Sequence, residues 1–460
     1  MDKSLQSAID ELQSRVKGQV LKPTEADYEA ARRIWNAMID RRPAAILRCR
    51  EAGDIPAALA WCRDRGLDFS VRGGGHNIAG SAVCDDGLLI DLSTMRAVRV
   101  DPDRRVASVE PGATLGDLDR ATQAHGLAVP VGINSTTGIA GLTLGGGFGW
   151  LTRKYGLTID SLTAAEVVTA DGRMLSASER ENQDLFWAIR GGGGNFGIIT
   201  RFEFKLYPVG PDILAGLVVY PREKAREVLE QYRRFAASAP EELNVWAVLR
   251  QAPPLPFLPE SVHGREVVVL AGFYAGDAAR GRELMDPVRR FGESCGEHVD
   301  VQPYCRWQQA FDPLLTPGAR NYWKSLNFTE LPDGLFEVAL SALDRLPSDQ
   351  CEIFIGQLAG APNRVSADAT AYFHRDARFV MNVHGRWNDA AQDHPGIAWA
   401  QGFFASAKPY ASAGGYVNFM TGDEEGRVPA AYGGNYSRLK AIKKTYDPEN
   451  VFHHNQNITP

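Results

Sequence analysis

The sequence predicts an α+β protein assembled from two units, and three observations carry that expectation. The chain has 460 residues, more than a single hydrophobic core ordinarily serves. Glycine-rich loops crowd residues 1–210 and return after residue 404. Between them, residues 211–404 alternate long strand-like runs with polar helices, which suits one sheet covered by helices on one side. The expected division is therefore 1–210 together with 405–460, interrupted by 211–404.

In chain order, Asp54 and Pro56 open a helix that Gly66 closes, with Leu59 and Cys62 on one face. Phe69-Ser70-Val71 alternates as a strand end and runs into Arg72-Gly73-Gly74-Gly75-His76-Asn77. Consecutive glycines let backbone N–H groups converge on one anion, forming a nest for phosphate oxygens. A tight turn with a solvated histidine at its tip is the other reading. Strands follow at 87–92 and 105–110, then a helix over 114–125 closed by Gly126.

Residues 132–150 hold seven glycines in nineteen positions. Linkers are polar, whereas Ile133, Ile139, Leu142, Leu144, Phe148 and Trp150 are apolar, so this segment approaches something large. Asp171-Gly172 marks a hairpin within 162–175, and a helix over 181–190 leads into Gly191 to Gly197. Gly192, Gly194 and Gly197 carry the spacing GxGxxG, but a strand follows them where a dinucleotide fold needs a helix. A Rossmann site is therefore rejected.

From residue 212, strands are expected at 213–220, 245–249, 267–273, 352–355 and 379–383, with helices at 223–237, 278–291 and 398–405. In the tail, Tyr416 and Asn418 share one side of an extended segment, and 436–446 is a basic helix.

The formal charge of −6 argues against nucleic acid or an anionic membrane as the main partner and favours a small molecule. The six cysteines, at 49, 62, 84, 295, 305 and 351, show neither a CxxC pair nor zinc spacing. The first residues lack the apolar core of a signal peptide, and no run is long enough to span a membrane, so a cytoplasmic enzyme without metal is expected.

Five motifs in order are specific together: Arg41-Arg-Pro-Ala-Ala-Ile, Arg72-Gly-Gly-Gly-His-Asn, the run from Gly145 to Leu157, the run from Asp184 to Gly197, and Tyr446-Asp-Pro-Glu-Asn-Val-Phe. With them the chain resembles the flavin-linked oxidases of the vanillyl-alcohol oxidase type, in the branch similar to berberine bridge enzyme and 6-hydroxynicotine oxidase. The resemblance implies a two-part PCMH-type FAD-binding domain with an inserted substrate domain, an antiparallel sheet covered by helices. It implies that His76 is bonded to the flavin 8α-methyl carbon. Many relatives carry a second, cysteinyl tether where this chain has Asn134, so a single covalent bond is expected. A histidine that some relatives place near the ribityl chain is Leu142 here.

The expected flavin contacts are Arg72, Gly73, Gly74, Gly75, His76, Asn77, Ser81, Gly132, Asn134, Ser135, Thr136, Thr137, Gly138, Gly141, Leu142, Gly145, Gly146, Gly147, Gly149, Trp150, Ile199, Asn455 and Asn457. Tyr416 with Asn418 is the expected proton-accepting pair. Thr137, small enough to leave room for dioxygen, favours an oxidase, although its hydroxyl would equally serve a tight loop. Substrate candidates are Glu352, Gln357, Asn382, His384 and Tyr322, with Trp323 and Arg386 beside them. Asn382, His384 and Arg386 share a face by the period of two, and each alone would also suit a solvent-facing position. The expected activity is hydride removal from an alcohol, sugar, amine or secondary-metabolite intermediate, with molecular oxygen as acceptor. A monooxygenase, a dehydrogenase and a non-catalytic ligand binder remain alternatives, and the oligomeric state is open.

Overall fold

The computed structural model describes residues 3–412 and 414–460, so Met1 and Asp2 of the N-terminal segment lie outside the described residues. The strand that feeds the histidine loop, Phe69–Arg72, is the edge of a four-stranded sheet, beside Leu88–Asp91, Ala45–Arg48 and Gln19–Leu21. The first three run parallel, and the last pairs antiparallel. Parallel strands need cover on both faces. Ile55, Ala58, Leu59 and Cys62 of helix Asp54–Arg63 supply it on one side, and Tyr28 and Ala31 on the other.

A second sheet is antiparallel, in the order Val98–Asp101, Val106–Val109, Ile198–Lys205, Leu162–Val168, Met174–Ser178. Its last two strands are the expected hairpin, turned at Gly172 with φ +84°. Helix Leu115–Gln123 packs on this sheet and starts at a capping box: Asp117 N–H donates to Thr114 Oγ1, while Thr114 N–H donates to the Asp117 carboxylate at 2.9 Å.

The third sheet has seven antiparallel strands, in the order Gly296–Pro303, Asp212–Pro221, Glu266–Tyr274, Leu243–Gln251, Glu352–Gln357, Phe379–Trp387, Arg320–Phe328. Side-chain alternation divides its faces. Leu243, Val245, Ala247 and Leu249 face helices Ala225–Ser238, Asp333–Leu343 and Asp393–Ala407. Trp246 faces the other way and stacks on Trp150 at 4.1 Å. This second face is thus closed over the glycine segment, with the short helix Tyr304–Gln308 packed at one end of it.

The structure departs from the sequence reading at several elements. Strands Arg320–Phe328 and Gly296–Pro303 and helix Asp333–Leu343 were not expected. The helix expected over 278–291 stops at Met285, because Pro287 has no N–H to continue the ladder and opens a separate turn, Val288–Arg290. Tyr416 and Asn418 do not lie on an extended segment: Val417–Phe419 is a 3₁₀ turn. Their side chains still meet, with Asn418 Nδ2 donating to the Tyr416 hydroxyl at 2.9 Å.

A buried carboxyl also ties helix Leu115–Gln123 to the short helix Tyr304–Gln308. Asp119, on helix Leu115–Gln123, accepts from Gln308 Nε2 at 3.1 Å, and the same amide group donates to Gly132 O at 3.1 Å. Burial pushes the Asp119 carboxyl up to about 7, and the Gln308 bond offsets only part of this. A carboxyl raised in the folded state stabilises it fully below the unfolded value, and that contribution is lost as pH rises through the folded value. Chemical denaturation should therefore show stability falling between pH 4 and 7, by at most about 4 kcal/mol from this group. In Asp119→Asn that slope should disappear; a slope that survives the substitution would assign the pH dependence elsewhere.

Candidate active site

A cavity of about 370 Å³ lies where the glycine loops, the Trp246 face of the large sheet and the tail meet. Gly73 to Asn77 form one wall, Gly132 to Asn134 with Thr137, Leu142 and Phe148 a second, and Gly193, Gly194 and Gly197 to Ile199 a third. The sheet contributes Trp246, Trp323, Glu352, Phe354, Asn382 and His384, and the tail Tyr416 to Phe419 and Phe452 to Gln456.

His76 stands in this cavity with its ring stacked on Trp35 at 5.2 Å. Burial pushes its imidazole down to about 4, so the ring is neutral at pH 7. Its Nε2 lies 3.0 Å from Thr136 Oγ1 and its Nδ1 3.5 Å from Thr137 Oγ1. Asn134 Oδ1 in turn accepts from the Thr136 hydroxyl at 2.7 Å and the Thr136 N–H at 3.0 Å.

Tyr416 presents its hydroxyl to two donors, Gly147 N–H at 3.0 Å and Asn418 Nδ2 at 2.9 Å. Burial pushes the phenol up to about 12, and these two bonds pull against it. Gly145 is explained by this contact, since a methyl group there would fall on the Asn418 amide; one on Gly146 would crowd Tyr372, and one on Gly147 would fall on Thr158.

On the sheet side, the largely shielded Glu352 carboxylate accepts from Arg250 at 2.7 Å and from His384 Nδ1 at 3.2 Å. Burial raises this carboxyl, but Arg250 and His384 outweigh burial and hold it below its usual range. Burial likewise lowers His384 despite Glu352. Because a carboxylate only accepts, Nδ1 carries the proton and Nε2 is left with a lone pair. That Nε2, Asn382 Oδ1 and Trp323 Nε1 are buried with no hydrogen-bond partner among the described residues.

Residues 43–178 match the family described as "FAD binding domain", and residues 415–459 the family "Berberine and berberine like". An uncharacterized FAD-linked oxidoreductase of Bacillus subtilis is 31% identical over 459 residues, covering 97% of this chain and 98% of its own. The (R)-6-hydroxynicotine oxidase of Paenarthrobacter nicotinovorans is 31% identical over 466 residues, covering 97% of each chain. The chain belongs to the berberine bridge enzyme-like FAD-linked oxidoreductases. Among solved structures, the glucooligosaccharide oxidase of Acremonium strictum, described with a 6-S-cysteinyl, 8α-N1-histidyl FAD, superposes with a TM-score of 0.87 at 26% identity, covering 100% of this chain and 99% of that one. The protein is accordingly an FAD-dependent oxidoreductase of α+β fold.

The cavity fits such a cofactor on its own evidence. A methyl group on Gly141 or Gly194, both lining the cavity, would meet nothing within 4 Å, so bare backbone faces open space there. Asn455 lines the same space and has Oδ1 without a partner among the described residues.

Of the expected flavin contacts, Gly73 to Asn77, Ser81, Gly132, Asn134, Thr137, Gly138, Gly141, Leu142, Ile199 and Asn455 line the cavity. Others point elsewhere for definite reasons. Arg72 is held by Asp91 at 2.6 and 3.1 Å and by the Arg33 carbonyl at 3.2 Å. Ser135 N–H donates to Asp312 at 2.9 Å, and Trp150 lies within an aromatic cluster with Trp246, Phe273 and Trp307. Gly149 makes room for the Val131 carbonyl, and Asn457 lies off the cavity.

Two substrate candidates are corrected by the pleat. Gln357 points to the helix face and donates to Ala236 O at 2.8 Å, and Tyr322 is packed there too, bonded to Asp423 at 2.5 Å. Trp323, one residue on, faces the cavity. Arg386 lies behind the cavity over the Trp35 ring. Sequence reasoning missed Trp35 and Arg250, which no local motif marks. It also missed His453 and His454, whose Nε2 atoms lie 3.3 and 2.6 Å from Asp68.

Removing Arg250 leaves Glu352 buried without its strongest partner. Arg250→Met should cost about 3–5 kcal/mol in chemical denaturation, and adding Glu352→Gln should recover much of it. If the double variant is no more stable than the single, the pair carries no such coupling.

Proposed function

We propose that the enzyme is an oxidase that removes hydride from a C–H bond of a hydroxylated or amine-bearing small molecule, with FAD held by one covalent bond through His76 and dioxygen as the electron acceptor. The observation that carries this reading is the Tyr416 hydroxyl, facing the cavity that His76 also lines and receiving N–H bonds from Gly147 and Asn418. When bound, FAD supplies the hydride acceptor and the route of electrons to oxygen.

The residues divide the remaining work. Two N–H donors on the Tyr416 oxygen stabilise negative charge there, so its phenolate form can accept a proton from substrate, becoming the phenol, as hydride leaves. His384 Nε2 and Asn382 Oδ1 are acceptors without partners among the described residues, and they suit a substrate that offers O–H or N–H groups. Arg250 neutralises Glu352, so this wall selects for hydrogen-bond donors rather than for a net charge. His76, neutral and stacked on Trp35, offers a nucleophilic lone pair at pH 7. Asn134 leaves a second, cysteinyl bond without its thiol. Thr137 leaves room beside His76 in which oxygen can approach.

Acid precipitation of the purified protein should leave the flavin with the pellet, and His76→Ala should release all of it to the supernatant. Colour retained by His76→Ala would end the assignment. Tyr416→Phe should lower kcat by about 10²–10⁴-fold. Because a base must lose its proton to act, and burial pushes this phenol up to about 12, wild-type kcat/KM should climb with pH from 6 to 10 without a plateau. The variant should lose that climb. Oxygen uptake and anaerobic flavin bleaching against alcohols, sugars, amines and phenols give both readouts.

A further inference from the structure

We infer that Asn134 and Thr136 are positioning residues that fix which nitrogen of His76 is nucleophilic. The inference rests on the reading of His76 as the flavin anchor, but its geometry stands apart from it. Thr136 N–H donates to Asn134 Oδ1 at 3.0 Å, and Asn134 Nδ2 reaches the Leu315 carbonyl at 3.4 Å, so both ends of the amide are assigned by their partners. An amide oxygen only accepts, and the Thr136 hydroxyl lies 2.7 Å from it. The hydroxyl proton is therefore committed to Asn134.

With its proton committed, Thr136 Oγ1 meets His76 Nε2, at 3.0 Å, through a lone pair. A lone pair there requires a proton on Nε2. In a neutral imidazole the other nitrogen is then bare, so Nδ1 holds the lone pair. Thr137 Oγ1 lies 3.5 Å from it. The chain Asn134–Thr136–His76 thus passes a hydrogen-bond direction from one backbone carbonyl to one ring nitrogen. Trp35, stacked on one face of the ring at 5.2 Å, supports the ring plane in this orientation.

The attachment balances on this arrangement. A bond forms from Nδ1 to the flavin 8α carbon, and one methyl C–H bond and the Nε2–H bond break. The two protons and two electrons released reduce one dioxygen to hydrogen peroxide, and the flavin ends oxidised. The position that relatives use for a second tether has here become the support of the first.

The test uses FAD-loaded protein as purified. Proteolysis and NMR of the flavin peptide should find wild-type flavin on Nδ1. Thr136→Val should still bind FAD, as seen by its absorbance, but lower the acid-stable fraction at least tenfold or spread attachment over both nitrogens. Asn134→Ala should act in the same direction, and Thr136→Ser should restore the wild-type pattern. Full attachment through Nδ1 in Thr136→Val overturns the inference. If the wild type releases all its flavin, the anchor reading fails. The imidazole ¹⁵N shifts of His76 in that same protein then decide the relay: a proton on Nε2 supports it, and a proton on Nδ1 overturns it.

Discussion

The contact on which the site depends is the meeting of two glycine backbones, Gly74 and Gly138. A methyl group on either would fall against the main chain of the other. Without side chains the two loops touch directly, and that approach places His76 beside Thr136 and Thr137 rather than in solvent. The surrounding ladder fixes the register: Leu115 N–H donates to the Thr137 carbonyl at 2.9 Å, and Thr114 bridges Gly138. Backbone hydrogen bonds thus set the position of an imidazole that its own loop could not hold.

The large sheet supplies the opposite wall by simple alternation. One face is used entirely by helices, and its core runs through Leu243, Val245, Met381 and Val383. The other carries Glu352, Asn382 and His384 toward the cavity, with charge compensated inside the sheet by Arg250. Burying a carboxylate is costly unless it is paired and hydrogen-bonded, and Glu352 is both. The same low dielectric strengthens the bonds around Tyr416, where glycines at 145–147 bring a main-chain N–H within reach of the phenol.

Much of the architecture was legible because it obeys local rules. Glycines flanking an apolar run, the helix closed by Gly126, the Asp171-Gly172 turn and the period of two around His384 each depend on neighbours a few residues away. The reading failed where distant partners decide. Tyr322 and Gln357 have pocket-like chemistry but fall on the helix face, since a strand's register is set by its neighbour. Arg72, beside the histidine loop in sequence, is drawn away by Asp91. Trp35 and Arg250 come to the site from segments with no motif.

From the sequence alone came the glycine framework of an FAD-binding domain, with His76 inside it and Asn134 in the next glycine-rich segment. These are matters of residue identity and short spacing. Only the tertiary structure decided that Thr136 donates to Asn134 and that the same hydroxyl oxygen meets Nε2 of His76 at 3.0 Å. A hydrogen bond has a direction, and direction is set by which groups fold against one another.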